Sequence, residues 1–159
     1  MSIEIKQMTL TDLEKIQNIL LTDFDDFWSY NILKKELTSP TSYYFVAYLE
    51  NEIVGFGGIK IMVDEADIMN LVTKKNYRNQ GIASCLLQNL ITFTKTLNLK
   101  FINLEVMEEN ISAIHIYEKL GFKKIGLRKN YYKNKNGIFM QKKIWLDLFQ
   151  VNFYFFFFI

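Results

Sequence analysis

The chain has 159 residues, 19 of them basic and 17 acidic, and the resulting formal net charge of +2 is too small to imply a nucleic-acid partner without a clustered patch. One Pro and 7 Gly leave little material for disordered linkers, so a single domain with a substantial core is expected, rich in aromatics at 16%. The single cysteine, Cys85, excludes an intramolecular disulfide, and the absence of a basic segment followed by an apolar run at the start makes the cytoplasm the expected compartment.

The chain opens with a weak alternation at Ile3, Ile5 and Gln7 that predicts a strand, and Thr11 to Glu14 then form a capping-box pattern that predicts a helix to about Leu21. An acidic and aromatic loop, Asp23 to Trp28, leads to a short helix over about Tyr30 to Leu37, which Ser39 and Pro40 close. The segments Tyr43 to Leu49 and Ile53 to Met62 are β-branched, aromatic or small and flank a turn at Glu50 to Glu52, which predicts a hairpin. A second turn at Asp64 and Glu65 precedes Ala66 to Thr73 and completes a three-stranded meander.

The period then changes. Ile82, Leu86, Leu90 and Leu97, with Ala83, Leu87 and Ile91 beside them, predict an amphipathic helix from about Gly81 to Leu97. Phe101 to Val106 reads as a buried strand, Ser112 to Leu120 as a helix ended by Gly121, and Lys123 to Tyr132 and Ile138 to Leu148 as a last strand pair. The order β-α-α-β-β-β-α-β-α-β-β implies an α+β (mixed α/β) class. Its sheet is central, mixed and mostly antiparallel, flanked by helices, with one right-handed parallel crossover around the long helix. The domain is placed at 1–148, and 149–159 is an atypical aromatic tail. Its run VNFYFFFFI is well short of the roughly 20 residues a membrane-spanning helix needs, so no membrane association is expected. An oddity of the reading frame, packing on an edge or a partner chain, and contact with a membrane surface are all compatible with it.

Asn76 to Leu87, NYRNQGIASCLL, places a polar turn and a helix start directly after a strand. Unpaired amides and the positive dipole end at a helix N-terminus attract phosphate, and small residues at Gly81 and Ala83 permit close approach to the backbone. Arg78 adds a fixed positive charge. A tight turn that needs Gly only for steric reasons would leave the same trace. No Gly-Lys-Ser/Thr follows, so the segment is not a P-loop.

The spacing of Arg78, Gly81 and Ala83 between strand and helix resembles the pyrophosphate motif of the GCN5-related N-acetyltransferases, the GNAT family. Leu104 to Val106, Asn110, Ala113, Tyr117 and Leu120 to Phe122 are similar to the family's second cofactor-binding strand and helix. The resemblance runs from about residue 3 to 147 and is nearest to the RimI-like branch, the ribosomal-protein-alanine N-acetyltransferases. Trp28 and Ser29, Asp64 to Ala66 and Arg128 to Tyr132 are similar to that branch as well. The chain departs from it at Phe27 and Lys75, where the branch often has Pro.

The resemblance implies a GNAT-like fold, acetyl-CoA as cosubstrate and no metal. It implies that Leu71, Val72 and Thr73 present strand backbone to the acetyl and pantetheine arm. Arg78, Asn79, Gln80, Gly81, Ile82, Ala83 and Ser84 would hold the pyrophosphate. Asn110, with Ala113 and Tyr117 after it, would line the pantetheine site, although Asn is also a favoured N-cap. Glu105 resembles the family's general base and Tyr117 its proton donor to the thiolate.

Glu105 also lies within the apolar run FINLEV, where an unpaired charge is costly, whereas Tyr117 has helix spacing that suits a core aromatic. Nothing in sequence orients His115, the one histidine, toward the site. Cys85 has no nearby histidine partner and reads as a small buried hydrophobe. Asp26 and Trp28, in a cluster with Asp23 and Asp25, could receive a protonated amine, and Tyr131 and Tyr132 could border the far side of an acceptor groove. The expected partner is the N-terminus of a ribosomal protein or another amine acceptor. The protein itself is expected to be a monomer or weak dimer.

Overall fold

A computed structural model describes residues 2–24, 28–132 and 134–144, apart from the side chains of 131 and 132. Its strands are β1 (Glu4–Gln7), β2 (Ser42–Leu49), β3 (Glu52–Met62), β4 (Glu65–Thr73), β5 (Phe101–Met107), β6 (Lys123–Tyr132) and β7 (Lys135–Lys143). Its helices are α1 (Leu10–Ile16), α2 (Tyr30–Leu37), α3 (Ile82–Thr96) and α4 (Ile111–Lys119). The order matches the sequence expectation. A π-helical turn at Leu20–Phe24 and a 3-10 turn at Lys75–Tyr77 are additional.

Three boundaries differ clearly from expectation: α1 ends at Ile16 and not near Leu21, with a π-helical turn beginning at Leu20, and both α1 and β7 start earlier. The capping box of α1 is Thr9 with Asp12: the Thr9 hydroxyl accepts from the Asp12 amide, and the Asp12 carboxylate accepts from the Thr9 amide. Starting the helix here buries Leu13 and Ile16 on one face and lets the Asp12 carboxylate also accept from the Tyr48 hydroxyl. β7 begins at Lys135, earlier than Ile138, because Lys135 pairs with Tyr132 across a tight turn. The expected continuation to Leu148, the domain end and the aromatic tail lie outside the described residues.

The strands form one sheet in the order β1-β2-β3-β4-β5-β7-β6, antiparallel except for β4 and β5. Those two are parallel neighbours joined through α3, which is the expected crossover. Alternation on β2 assigns the faces. Tyr44, Val46 and Tyr48 pack with α1, α2 and Phe24, while Ala47 packs with Val54, Ile82 and Leu86 beneath α3. α3 also buries Leu87, Leu90 and Ile91 against a larger cluster that includes Ile102, Leu104, Ile114 and Met140. Gly55 makes the close seating of α3 possible, since a Cβ there would meet the Val72 carbonyl oxygen at 2.9 Å and Ile82 Cγ2 at 3.0 Å.

Two irregularities prepare a site. β3 and β4 slip register between Gly58↔Asn70 and Ile59↔Ile68, so Met69 is an unpaired extra residue in β4. The β4–β5 ladder runs from Glu65↔Phe101 to Asp67↔Asn103 and then ends. Beyond Asp67 the two strands part, and the flank of β4 that faces β5 has no strand partner.

Candidate active site

The parting strands form an open cleft of about 570 Å³. β4 contributes Met69 to Val72, β5 contributes Glu105 to Met107, Asn110 and Tyr117 come from the start and body of α4, and Phe24, Trp28, Lys75 and Arg78 complete the lining. Of the residues expected from sequence, the cleft therefore gathers Leu71, Val72, Arg78, Glu105, Asn110, Tyr117 and Trp28.

Glu105 lies in β5, opposite Phe139 of β7. Its side chain is 18% exposed. Oε2 receives Arg128 Nη1 at 3.4 Å, and Oε1 is buried without a hydrogen-bond partner among the described residues. It is thus neither a freely solvated carboxylate nor one whose acceptor capacity is used up. Tyr117 is half-buried, with its ring 5.9 Å from that of Phe122, so it is anchored in the core and also reaches the cleft. Asn110 Oδ1 caps α4 by accepting from the Ala113 amide at 3.2 Å, and the residue also lines the cleft.

The phosphate-binding expectation meets a suitable geometry at the start of α3. Asn79 and Gly81 both adopt left-handed backbone conformations, with φ of 61° and 82°. Gly81 is the N-cap, and among the described residues no side chain caps the helix and no atom beyond its chain neighbours lies within 4 Å of where a Cβ on Gly81 would stand. The first-turn amides thus have room for an anion above them. Ile82 can contribute only backbone, because its side chain is buried under β3. Thr73, Asn79, Gln80, Gly81, Ala83, Ser84 and Ala113 lie outside the cleft lining itself. Arg78 Nη2 donates to the Phe24 carbonyl at 3.4 Å, so this side chain also braces the segment before α2.

Lys75 stands where the sequence departs from the RimI-like pattern, and its Nζ donates to the Thr22 carbonyl, which ties the 3-10 turn to the π-helical turn. Asp23 accepts from Thr22 and lies 3.8 Å from Lys74, so it is not a bare charge waiting for an amine. Asp25 and Asp26 and the side chains of Tyr131 and Tyr132 lie outside the description. His115 is exposed on α4 and does not line the cleft. Cys85, expected to be buried, is exposed on α3, because the helix turns Leu86 and Leu87 to the sheet and leaves position 85 outward.

Sequence reasoning missed Met69, Asn70, Lys75 and Met107 as cleft residues. Asn70 is 8% exposed, and neither of its side-chain polar atoms has a partner among the described residues. A polar residue interrupting the apolar run of β4 was the available signal.

Comparison with known proteins gives concordant results. The model of the family described as "Acetyltransferase (GNAT) family" matches residues 12–122. A [ribosomal protein bS18]-alanine N-acetyltransferase of Haemophilus influenzae is 34% identical over 134 residues, covering 84% of this chain and 90% of that protein. An N-alpha-acetyltransferase of Sulfurisphaera tokodaii is 26% identical over 149 residues, covering 86% and 89%. The crystal structure of the ribosomal-protein-S18-alanine N-acetyltransferase from Escherichia coli superimposes with a TM-score of 0.83 at 26% identity, covering 91% of this chain and 96% of that one.

Proposed function

Because the chain belongs to the GNAT family and is an acetyl-CoA-dependent N-acetyltransferase, we propose that it acetylates the N-terminal α-amine of a protein, an alanine of a ribosomal protein in the first instance. The observation that carries this reading is the convergence of Glu105 and Tyr117, from separate elements, on the open flank of β4. The acceptor follows the relatives, of which one is named for the alanine of bS18 and another as an N-alpha-acetyltransferase.

Acetyl-CoA supplies an activated acetyl thioester. The backbone of Leu71, Val72 and Thr73 would run beside its acyl arm, and the amides at the start of α3, from Ile82 to Ser84, would take its pyrophosphate. The uncapped helix start and the room above Gly81 fit that group.

The acceptor amine must be neutral to attack, and Glu105 is the carboxylate in reach of the cleft that can take its proton, directly or through a water. Arg128 holds one carboxylate oxygen and so orients the other, Oε1, whose acceptor capacity is unused by the described residues. Tyr117 carries the proton for the departing thiolate, and the core packing of its ring fixes where the hydroxyl is delivered. No covalent enzyme intermediate is required. An α-amine, with a pKa of about 7.7 to 8.0, yields its proton to a modest base more readily than a lysine amine at about 10.4.

A small polycationic amine would call for an acidic pocket. Among the described lining residues Glu105 is the one carboxylate, set against Lys75 and Arg78. The deciding assay follows CoA release with an Ala-initiated peptide, the same peptide with a blocked N-terminus, and a panel of small amines. Turnover of the free peptide alone is expected. Turnover of small amines alone would discard the peptide acceptor, and acetyl-CoA binding without turnover of any of them would favour a regulatory CoA-binding domain.

A further inference from the structure

Asn70 is more than nine-tenths buried, lines the cleft, and presents a carboxamide with no hydrogen-bond partner among the described residues. Burying an amide without a partner is costly, so a residue of this kind marks a position where a ligand completes the pairing. The direction of the amide follows from register. Asn70, Leu71 and Val72 pair without interruption with Gly58, Gly57 and Phe56, so Asn70 shares a face with Val72 and not with Leu71.

Val72 packs among Leu13, Phe24 and Leu33, with Trp28 against the same cluster, whereas Leu71 packs toward Ile82 and Leu86 of α3. Tyr44, Gly58 and Asn70 also form one cross-strand row, in which the Tyr44 ring covers Gly58 at 2.5 Å from where a Cβ would stand. The Asn70 carboxamide therefore belongs to the Phe24 and Trp28 side of the sheet, opposite the face that carries α3.

A carboxamide carries an acceptor and donors in one plane, so its oxygen can accept from the N–H of a peptide unit; the C=O of that trans unit points the other way and is left to other partners. A simple aliphatic amine has no such group. We propose that Asn70 is a positioning and specificity residue that pairs with the first peptide unit of the acceptor, immediately after the reactive α-amine. This inference rests on the peptide acceptor proposed above. It gives the cleft a reason to prefer a peptide N-terminus over an amine that lacks an adjoining amide, because such an amine leaves the buried carboxamide unpaired. The pantetheine arm also contains amides, and it is the other source of the same chemistry.

The test uses the full chain, wild type and Asn70→Leu, with saturating acetyl-CoA and two acceptors. One is an Ala-initiated peptide. The other is its ester analogue, in which oxygen replaces the first peptide N–H. Wild type is expected to lose about tenfold or more in kcat/KM on the ester. Asn70→Leu is expected to lose a similar factor on the peptide, to treat both acceptors alike, and to keep the wild-type KM for acetyl-CoA. It should also melt at or above the wild-type temperature, because it removes an unpaired buried amide.

A raised acetyl-CoA KM with unchanged peptide discrimination would assign the amide to the pantetheine arm and overturn the proposal. So would a lower melting temperature with equal loss on both acceptors, which marks a structural role. Should Asn70→Leu not fold, Asn70→Ala takes its place in the discrimination measurement. Wild type that acetylates peptide and ester equally refutes the role of Asn70 alone, whereas wild type that acetylates no peptide refutes the acceptor reading beneath it.

Discussion

Replacing Gly55 by Ala adds one methyl group at the point where α3 lies on β3. The new carbon would stand 2.9 Å from the Val72 carbonyl oxygen, 3.0 Å from Ile82 Cγ2 and 3.1 Å from Leu86 Cδ1. Side-chain ends can swing away, but the carbonyl belongs to the β4 backbone and cannot, so α3 or β4 has to move. Overpacking of this kind costs about 1–3 kcal/mol, and the better strand propensity of Ala returns about 0.5–1 kcal/mol. With a backbone clash the upper part of the range applies, and the net loss is about 2 kcal/mol. For a chain of this size that lowers Tm by about 4–8 °C. The displaced parts carry the start of α3 and the cleft flank of β4, so KM for acetyl-CoA should rise as well. The control is Gly126→Ala, whose new carbon meets nothing nearer than Phe139 Cβ at 3.7 Å and should leave Tm unchanged or slightly higher. Thermal unfolding of the two variants beside wild type measures the difference. If Gly55→Ala melts no lower than Gly126→Ala, the reasoning about α3 seating is wrong.

Other consequences can be measured in parallel. Glu105→Gln and Tyr117→Phe should each lower kcat by about 10² to 10⁴ with the fold intact, and wild-type rates in both would remove the proton-transfer roles. Asn110→Ala should lose the cap of α4 at about 1 kcal/mol. Asn110→Ser should restore stability without restoring acetyl-CoA affinity if the residue also serves the ligand, and equal recovery of both would limit it to capping. Burial alone would raise the pKa of Asp12, but the hydrogen bonds from Tyr48 and from the Thr9 amide and hydroxyl, with Lys15 nearby, hold it below the usual carboxylate value. Its contribution to stability is therefore complete above the ordinary Asp pKa near 3.8 and is lost as pH falls through the lower folded value. Denaturant unfolding of Asp12→Asn from pH 6 to pH 2 should show lower stability at pH 6 and a shallower acid decline than wild type; parallel curves would contradict the assignment.

Much of the fold could be read from the sequence because local and long-range signals agree. The helical stripe Ile82, Leu86, Leu90 has one face to bury, and the apolar segments around Glu50 to Glu52 can pair only as a hairpin. What escaped depends on tertiary competition. Thr9 and Thr11 offer rival N-caps three residues before an acidic partner, and the choice is settled by Tyr48, far away in sequence, which reaches Asp12. Cys85 has the composition of a core residue, but its angular position between buried Ile82 and Leu86 turns it outward. At the site, Glu105, Tyr117 and Arg78 were legible through motif resemblance. Asn70 left only its interruption of an apolar run, because its place on the cleft comes from the register slip at Met69 and the end of the β4–β5 ladder, neither of which leaves a periodic trace.

The shortness of the β4–β5 ladder has a consequence beyond catalysis. With three pairs of residues at the junction, the strands β1 to β4 and the strands β5 to β7 are two half-sheets joined by a short ladder, a seam that the core beneath α3 bridges. A ligand lodged in that seam supplies backbone hydrogen bonds that no strand provides, and it stabilises the closed state in proportion to the logarithm of its concentration over Kd. Acetyl-CoA bound there, as proposed above, would be mortar as well as reagent, and resistance to proteases would then rise and fall with its supply.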